Sequence, residues 1–231
     1  MGRITIAIDG HSSTGKSTVA RQLAHKLGYI YVDSGAMYRA VTYFALQNGL
    51  VDHDGLNEAG LVARLDEISL NFGMTDEAGK SPIILNGENV ESAIRTLEVS
   101  EWVSPVATLS EVRKKMVQQQ HQLGGEGGIV MDGRDIGTVV FPQADLKIFM
   151  TASAQVRAQR RYDELLARGD QISYSEVLEN VTERDRIDST REVSPLKQAD
   201  DAVLIDNSEM TLEDQFQLVL KLALQKIDQI D

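Results

Sequence analysis

The feature that most constrains this fold is an octapeptide, GHSSTGKS at residues 10–17, in which glycine stands first and sixth. Residues 4–9 precede it as a short, branched and almost wholly apolar run, which is typical of a strand buried on both faces of a parallel sheet. The residues after it are apolar at helical spacing, and Gly28 stands where a helix C-cap belongs. The sequence therefore predicts a strand, a tight turn and a helix over residues 17–27.

The octapeptide also fits the phosphate-binding loop, whose pattern is Gly, any four residues, Gly-Lys and then Ser or Thr. Glycine at both ends lets the chain curl so that backbone N–H groups point inward, and the helix N-terminus adds partial positive charge. Lys16 would reach the β- and γ-phosphates, and the Ser17 hydroxyl would bind Mg²⁺. A chance glycine-rich turn is the alternative, and the flanking strand and helix argue against it. The predicted phosphate-binding residues are Gly10, His11, Ser12, Ser13, Thr14, Gly15, Lys16, Ser17 and Thr18.

Four further apolar runs resemble the first one, at residues 29–33, 129–132, 146–150 and 203–206. Together with residues 4–9 they predict five strands with helices between them, which indicates an α/β fold with a doubly wound parallel sheet in three layers. The run from residue 212 onward predicts an amphipathic helix that packs on the core.

A long excursion, roughly residues 62–103, interrupts this rhythm. Residues 68–74 are alternately apolar and polar, residues 75–81 are rich in turn formers, and residues 83–85 lead into Asn86-Gly87, which is a strong hairpin signal. We expect a small antiparallel insert there.

Composition narrows the class of protein. The 231 residues can bury one substantial core, so we expect a single domain with insertions. A formal net charge of −12 argues against an extended grip on nucleic acid, because such binding requires the neutralisation of many phosphates. No cysteine is present, which excludes disulfides, thiol catalysis and cysteine-ligated metals. With no leader-like start and no apolar stretch near the ~20 residues needed to span a bilayer, we expect a cytoplasmic monomer that binds no membrane.

A phosphate-binding loop does not by itself separate kinases from GTPases or ATP-driven switches. The guanine-binding pattern Asn-Lys-x-Asp is absent, and the match to Asp-x-x-Gly at residues 52–55 lies in a polar stretch with no strand before it. An ATP-driven switch would have a pair of acidic residues closing an apolar strand, whereas residues 129–132 are followed by Gly133-Arg134. Both alternatives are weakened.

Two segments place charged groups at the edge of the sheet where the loop lies. DSGAMYR at residues 33–39 follows the second strand, and DGRDIGT at residues 132–138 follows the third. Because ligands bind at the carboxyl ends of such strands, Arg39 is suited to hold a second phosphate bidentately. The alternative is that Asp33 or Ser34 only caps the next helix and Arg39 lies on the surface.

Arginine is concentrated late in the chain, where seven of the fourteen follow residue 156. Arg184, Asp188 and Arg191 have the spacing of one helix face, and so does a second set, Arg157, Arg160 and Arg161. Two such helices separated by the polar residues 166–175 predict a mobile lid that brings positive charge over transferring phosphates. Ordinary surface ion pairs are the alternative.

The chain as a whole resembles the bacterial cytidylate kinases. The resemblance lies in residues 33–39, in DGRDIGTVVFP at residues 132–142 and in ERD at residues 183–185, in this order behind the phosphate-binding loop, and it covers nearly the whole chain. It implies a sheet of strand order 2-3-1-4-5, transfer from ATP to CMP or dCMP with Mg²⁺, and a lid that closes over the donor. It further implies one kinase domain over 1–231, with a core of 1–61 plus 104–231, an insert of about 62–103 in the monophosphate-binding region and a lid of about 157–191.

The resemblance also implies roles for individual residues. Arg39, Arg134 and Arg191 match the arginines that hold the acceptor phosphate, and Ser34 belongs to the same acceptor site. Arg184 and Asp188 match ribose contacts, and Ser104, Arg113 and Asp135 match the positions that face cytosine. Arg157 and Arg161 match arginines around the donor. The catalytic set implied is Lys16, Arg134, Arg157, Arg161 and Arg191. His11 stands where the family usually has proline. The resemblance therefore does not determine how stiff the loop is.

The assignment of the base has a physical rationale. Cytosine offers the N4 hydrogens as donors and N3 and O2 as acceptors, so Asp135 and Ser104 can accept from N4 while Arg113 donates to the ring. Uracil reverses this pattern and would leave buried groups unpaired, which can cost a factor of up to ~10⁴. We therefore expect CMP to be preferred over UMP. The competing interpretations are a uridylate, adenylate or shikimate kinase and an ATP-dependent switch that acts through a partner.

Overall fold

Successive side chains of the central strand point to opposite faces of the sheet, and this alternation determines which helices pack on each face. The computed structural model describes residues 2–52, 55–76, 81–124 and 127–230. The strands are β1 (Thr5–Gly10), β2 (Ile30–Asp33), β3 (Val51–Asp52), β4 (Gly55–Leu56), β5 (Leu70–Phe72), β6 (Ile83–Leu85), β7 (Glu88–Asn89), β8 (Ile129–Gly133), β9 (Leu146–Thr151) and β10 (Val203–Asp206). The helices are α1 (Lys16–Leu27), α2 (Ser34–Gln47), α3 (Glu58–Ala63), α4 (Leu97–Val106), α5 (Ser110–Gly124), α6 (Ala154–Ala167), α7 (Tyr174–Thr190) and α8 (Leu212–Ile227).

Five strands form one parallel sheet in the order β10-β9-β1-β8-β2. Numbered along the chain within this sheet alone, the order is 2-3-1-4-5. On one face, Ile6 and Ile8 of β1 pack with residues of α1 and α8. On the other face, Ala7 packs with residues of α2, α4 and α5. The predicted α/β fold, with helices on both faces of a five-stranded parallel sheet, is confirmed.

The turn after β1 requires glycine. Gly10 has a φ of 146°, and a side chain there would collide with the carbonyl oxygen of Met150 on the neighbouring strand. The chain therefore passes close over β9 as it leaves the sheet. This path brings the phosphate-binding loop to the carboxyl edge of the sheet, beside the ends of β2 and β8.

The excursion contains the predicted antiparallel strands. β5, β6 and β7 pair in sequence, and the turn between β6 and β7 is Asn86-Gly87, with φ values of 50° and 88°. Two consecutive positive φ angles are what a tight hairpin turn needs, so the hairpin is confirmed. The predicted alternation continues too far, because the strand ends at Phe72 and Met74 is 94% exposed. Part of the turn-rich stretch, residues 77–80, lies outside the described residues.

Helices α6 and α7 form a pair with its own apolar contact. Ala158 and Leu165 of α6 meet Val177 and Val181 of α7 in a cluster separate from the two that flank the sheet. Arg191 follows α7 as its C-cap with an extended backbone, so the helix face predicted for residues 184–191 ends one residue earlier than expected. No helix within the described ranges is both long and apolar enough to cross a membrane.

Candidate functional site

The phosphate-binding loop curls around one of its own carbonyl groups. The Nζ atom of Lys16 donates to the carbonyl oxygen of His11 at 2.8 Å, and the Oγ1 atom of Thr14 donates to the same oxygen at 3.0 Å. Ser13 and Gly15 have φ values of 58° and 87°. This left-handed geometry turns successive backbone amides toward the inside of the loop, which is the arrangement that binds phosphate oxygens.

A carboxylate from the neighbouring strand β8 meets the first turn of α1. Oγ of Ser17 donates to Oδ2 of Asp132 at 2.8 Å, and Oη of Tyr31 donates to Oδ1 at 2.8 Å. Burial, followed by the negative charge of Asp33, raises the pKa of Asp132 above its ordinary value. Sequence reasoning missed Asp132 as a site residue, although its position at the end of an apolar strand beside the loop was a usable signal.

Asp33, which lies beside Asp132 on the neighbouring strand β2, does two things at once. Its Oδ1 accepts from the backbone N–H of Ala36 at 2.7 Å and so caps α2, while its Oδ2 accepts from Arg39 at 2.9 Å. The two alternatives considered for this segment are therefore both partly true, because Asp33 caps the helix and Arg39 lines the cavity. Burial acts to raise the pKa of Asp33, and Arg39 with Arg95 outweighs it and lowers that pKa.

Asp188 connects groups from three elements. Its Oδ1 accepts from Oγ of Ser104 on α4 at 3.1 Å, and its Oδ2 accepts from Nε of Arg134, just after β8, at 2.7 Å. Arg191 lies 3.9 Å from the same carboxylate. Arg184, one turn before Asp188, donates to Oγ of Ser100 at 2.9 Å. Arg134 and Arg191, expected at the acceptor phosphate, thus lie beside Asp188, expected at the ribose.

The residues expected to face the base also lie together. Arg113 on α5 is ion-paired with Asp135 and donates to the carbonyl oxygen of Ala107 at 3.2 Å. The Arg113 guanidinium lies 5.5 Å from the centroid of the Tyr38 ring, and the buried Oη of Tyr38 has no hydrogen-bond partner among the described residues. Tyr38 therefore presents an unpaired hydroxyl beside the base-facing residues. Its position in residues 33–39 was noted in the sequence, but its role was missed.

Most of these groups, though not Tyr31 or His11, line one cavity of about 320 Å³. Among the residues that the structure describes, eight basic and five acidic side chains line it, a formal excess of three positive charges. The pKa of Lys16 is lowered to about 7 and that of Arg184 to about 9, in both cases by burial first and then by the charge of Arg134. Within the part of the chain that the structure describes, the Nε atoms of Arg39, Arg113 and Arg184 are buried without a hydrogen-bond partner. Buried cations without sufficient counter-charge make this a site for anions.

Most of the predicted site residues line this cavity. Those that do are Ser12, Ser13, Thr14, Gly15, Lys16, Ser17, Thr18, Ser34, Arg39, Ser104, Arg113, Arg134, Asp135, Arg161, Arg184, Asp188 and Arg191. Gly10, His11 and Arg157 are not among the lining residues. The side chain of His11 contacts α7 instead, where its Nδ1 is 3.2 Å from Oδ1 of Asp185.

The three arginines of α6 do not act together as their spacing suggested. Arg157 is buried and donates to both carboxylate oxygens of Asp185, at 3.0 and 2.5 Å, and to the carbonyl oxygen of Ser12 at 3.3 Å. Arg160 donates to Asn207 instead. Only Arg161 of the three lines the cavity. Side chains at i, i+3 and i+4 lie on one side of a helix, but these three guanidinium groups bind partners on different elements.

Arg95 also lines the cavity, and sequence reasoning missed it. Arg161 and Arg168 of the α6 end donate to the carbonyl oxygen of Arg95, at 3.4 and 3.0 Å. The Arg95 side chain itself pairs with Glu91 at 2.6 Å and with Asp33 at 3.4 Å. The excursion and the α6–α7 pair thus meet at the Arg95 carbonyl as well as at Ser100, which Arg184 contacts. Arg95 follows the hairpin in an irregular stretch, and no local motif marks it.

Known proteins resemble this chain closely. The family model described as "Cytidylate kinase" matches residues 6–225. A cytidylate kinase of Flavobacterium psychrophilum is 60% identical over 96% of this chain and 99% of its own length, and one of Phocaeicola vulgatus is 58% identical over 93% and 94%. Among solved structures, a gluconokinase from Sinorhizobium meliloti 1021 covers 99% of this chain and 96% of its own at 15% identity and a TM-score of 0.47, too low to support an inference. The family match and the two kinase relatives agree, and the chain belongs to the cytidylate kinase family.

Proposed function

We propose that this protein transfers the γ-phosphoryl group of ATP to CMP or dCMP, giving CDP or dCDP and ADP. The observation that carries the proposal is one positively charged cavity lined both by the phosphate-binding loop and by Arg39, Arg134 and Arg191. A reaction that joins two phosphate groups needs two such anion sites facing one space. The similarity to cytidylate kinases names the acceptor.

At the donor end, the protein contributes position and charge. Loop amides and the α1 N-terminus hold the β-phosphate, and Lys16 leaves the His11 carbonyl to bind the γ-phosphate. ATP brings negative charge to a lysine whose pKa burial has lowered to about 7, and this charge restores the protonated form. Lys16 therefore becomes fully charged when the donor is present.

At the acceptor end, a phosphate oxygen of CMP is itself the nucleophile, so no protein nucleophile is needed. Arg39, Arg134 and Arg191 bind the other oxygens and hold the attacking oxygen in line with the γ-phosphorus. Arg184 and Asp188 contact the ribose. These guanidinium groups are placed by α2, by β8 and by the end of α7.

The base end of the cavity favours cytosine. Asp135 and Ser104 accept from the N4 amino group, and Arg113 donates to N3 or O2. Because Ser104, Arg113 and Asp135 are each at most 4% exposed, a base with the reversed pattern would leave a buried polar group unpaired. CMP is therefore preferred over UMP.

Ser17 and Asp132 are the residues suited to a magnesium ion. Both present oxygen donors, lie 2.8 Å apart and line the cavity beside Lys16. Burial raises the pKa of Asp132, so a nearby cation would stabilise its ionised form. When bound, Mg²⁺ offsets charge on the transferring phosphates.

Residues 157–191 act as a lid in this proposal, residues 62–103 as the acceptor-side insert, and the rest as the core. Support comes from the separate apolar cluster between α6 and α7 and from the polar character of their contact with Arg95. A unit with its own apolar core and polar contacts to the rest of the chain can move without disturbing the sheet. Arg161 would then approach the donor, and Arg157 would do so after releasing Asp185.

A panel of acceptors tests the proposal. The protein is incubated with ATP and Mg²⁺ and with CMP, dCMP, UMP, AMP or shikimate in turn, and ADP release is measured. We expect stoichiometric ADP with CMP and dCMP and at least 100-fold lower kcat/KM with UMP. Comparable efficiency with UMP would refute the assignment of the base. ADP release without any acceptor would instead favour an ATP-driven switch.

A further inference from the structure

Asp9 is a buried carboxylate that none of the roles above uses. It is the residue of β1 next to Gly10, at the start of the phosphate-binding loop, and is 5% exposed. Its Oδ1 accepts from the backbone N–H of Ile136 at 2.8 Å, and its Oδ2 accepts from the backbone N–H of Gly137 at 2.7 Å. One side chain thus joins the donor loop to the segment after β8.

The two amides belong to a turn that carries acceptor-site residues. Residues Ile136–Val140 form a π-helical turn directly after Arg134 and Asp135. The carbonyl oxygen of Asp135 accepts from Val139 and Val140, at 2.9 and 3.2 Å, so the turn is closed on the residue expected to face the base. The first free N–H groups of the turn are those that Asp9 binds. The direction of the Asp135 side chain therefore depends on where Asp9 holds the turn.

The carboxylate is costly to keep in this place. Burial raises the pKa of Asp9 to about 6, although both amides and the charge of Lys16 act in the opposite direction. A neutral residue would avoid the desolvation of a charge, which is a large cost in a protein interior. Two acceptor oxygens, fixed side by side, can however bind two consecutive N–H groups at once, and an amide side chain cannot.

We infer that Asp9 is a positioning residue that sets Asp135, and with it the discrimination between cytosine and uracil, relative to the phosphate-binding loop. This inference rests on the proposed function. Asp9 touches neither substrate in this scheme and acts only through the turn. Its substitution is expected to affect the choice of base more than the transfer step itself.

The test compares Asp9→Asn with wild type. Asparagine keeps the shape and one acceptor, and it turns an N–H donor against a backbone N–H. We expect the ratio of kcat/KM for CMP to kcat/KM for UMP, at saturating ATP, to fall about tenfold, since one unsatisfied buried group corresponds to roughly that factor. The KM for CMP should rise more than kcat falls.

Asp145→Asn is the matched control. Asp145 accepts from the backbone N–H of Thr5 at 2.8 Å, so it also binds β1, but at the strand's other end and on the surface. The ratio of kcat/KM for CMP to kcat/KM for UMP should be the same in Asp145→Asn as in wild type. A second variant, Gly137→Ala, disturbs the same contact from the other side, because its new methyl group would lie 3.3 Å from Oδ2 of Asp9. It should lower the ratio in the same direction.

The possible failures are distinguishable. Wild type without CMP kinase activity would refute the proposed function. Wild type that prefers CMP, combined with an unchanged CMP-to-UMP ratio in Gly137→Ala and in folded Asp9→Asn, would refute the role of Asp9 alone. The same conclusion would follow if the control Asp145→Asn lost as much discrimination as Asp9→Asn, because Asp9 would then serve only to stabilise the fold.

Discussion

Lys16 is the residue at which burial and chemistry conflict most directly. It is 5% exposed, its Nζ binds the His11 carbonyl, and burial and Arg134 together lower its pKa to about 7. A buried lysine at this position does not stabilise α1, because the N-terminus of a helix already carries partial positive charge. Its value must lie in the charge that it offers to an incoming anion.

Lys16→Ala should therefore lower kcat about 100-fold or more, since removal of a preorganised donor from a transferring group has an effect of this order. The thermal unfolding temperature should change little. Steady-state kinetics and differential scanning calorimetry measure the two quantities. Lys26→Ala, at the exposed C-terminal turn of the same helix, should leave kcat unchanged. Equal activity of the two variants would contradict the assignment.

Arg39 is expected to act on binding of the acceptor. Its Nη2 pairs with Asp33, and its Nε is buried without a partner. Arg39→Ala should raise the KM for CMP roughly 10- to 100-fold, which corresponds to the loss of charge-assisted hydrogen bonds. Arg39→Lys, which keeps the charge but not the planar fork, should lie between this variant and wild type. Arg186→Ala, exposed on α7, should have no effect, and an unchanged KM for Arg39→Ala would exclude the role.

At the scale of elements, the α6–α7 pair differs from the helices that flank the sheet. Its apolar contact consists mainly of four fully buried residues, and its links to the excursion include hydrogen bonds to the Arg95 carbonyl group and to Ser100. Small local cores of this kind open with less free energy than the global fold. The pair is therefore the part of the molecule best suited to move during a catalytic cycle.

Leu165→Ala tests this independence. Leu165 is fully buried in the α6–α7 contact, and its truncation should cost roughly 2–5 kcal/mol there. Hydrogen exchange of backbone amides should accelerate in α6 and α7 and stay unchanged in β1 and β8. Leu23→Ala, which truncates a fully buried leucine between α1 and the sheet, should accelerate exchange in the sheet instead. If exchange in Leu165→Ala were also faster in β1 and β8, the α6–α7 pair and the sheet would unfold as one cooperative unit, which would contradict the prediction.

At the scale of the whole molecule, the charge is distributed unequally. The chain carries −12 overall, whereas the described residues that line the cavity carry an excess of three positive charges. Such an arrangement keeps polyanions away from the surface while it attracts small anions into one space. It also makes stability depend on pH, because several buried carboxyl groups have shifted pKa values.

Asp9 gives the clearest case, since its pKa in the folded protein is about 6 against an ordinary value of 3.8. The folded state therefore binds this proton more tightly than the unfolded state. The stability that protonated Asp9 adds to the folded state is fully present below about pH 4 and is lost as the pH rises through about 6. The difference of about two pKa units amounts to about 3 kcal/mol.

The prediction is that the free energy of unfolding of wild type, relative to Asp9→Asn, decreases between pH 4.5 and pH 7. Urea unfolding of both proteins at several pH values in this range measures it. Asp145→Asn, which changes an exposed carboxylate that binds the other end of β1, should follow wild type. A difference that stays constant across the range would show that Asp9 ionises in the folded protein as it does in the unfolded chain.

Periodicity and motif spacing predicted much of this molecule. The five apolar runs became the strands of the sheet, Gly10 and Gly15 adopted the backbone angles that the loop requires, and Asn86-Gly87 formed the expected hairpin turn. These features depend on local sterics and on which residues are apolar, and both can be read from neighbouring residues. The resemblance to a family added the acceptor site, which no local pattern would have assembled.

Partners distant in the chain were decided only by the tertiary structure. Helical spacing placed Arg157, Arg160 and Arg161 on one face, but the fold pairs the first with Asp185 and the second with Asn207. Likewise Asp9 accepts a hydrogen bond from the backbone N–H of Gly137, 128 residues away in the chain. By itself, therefore, the sequence determined the elements, the loop and the sign of charge at the site. Which carboxylate neutralises which cation, and which cations stay free for a ligand, was decided by packing, because those contacts join groups that only the folded sheet brings together.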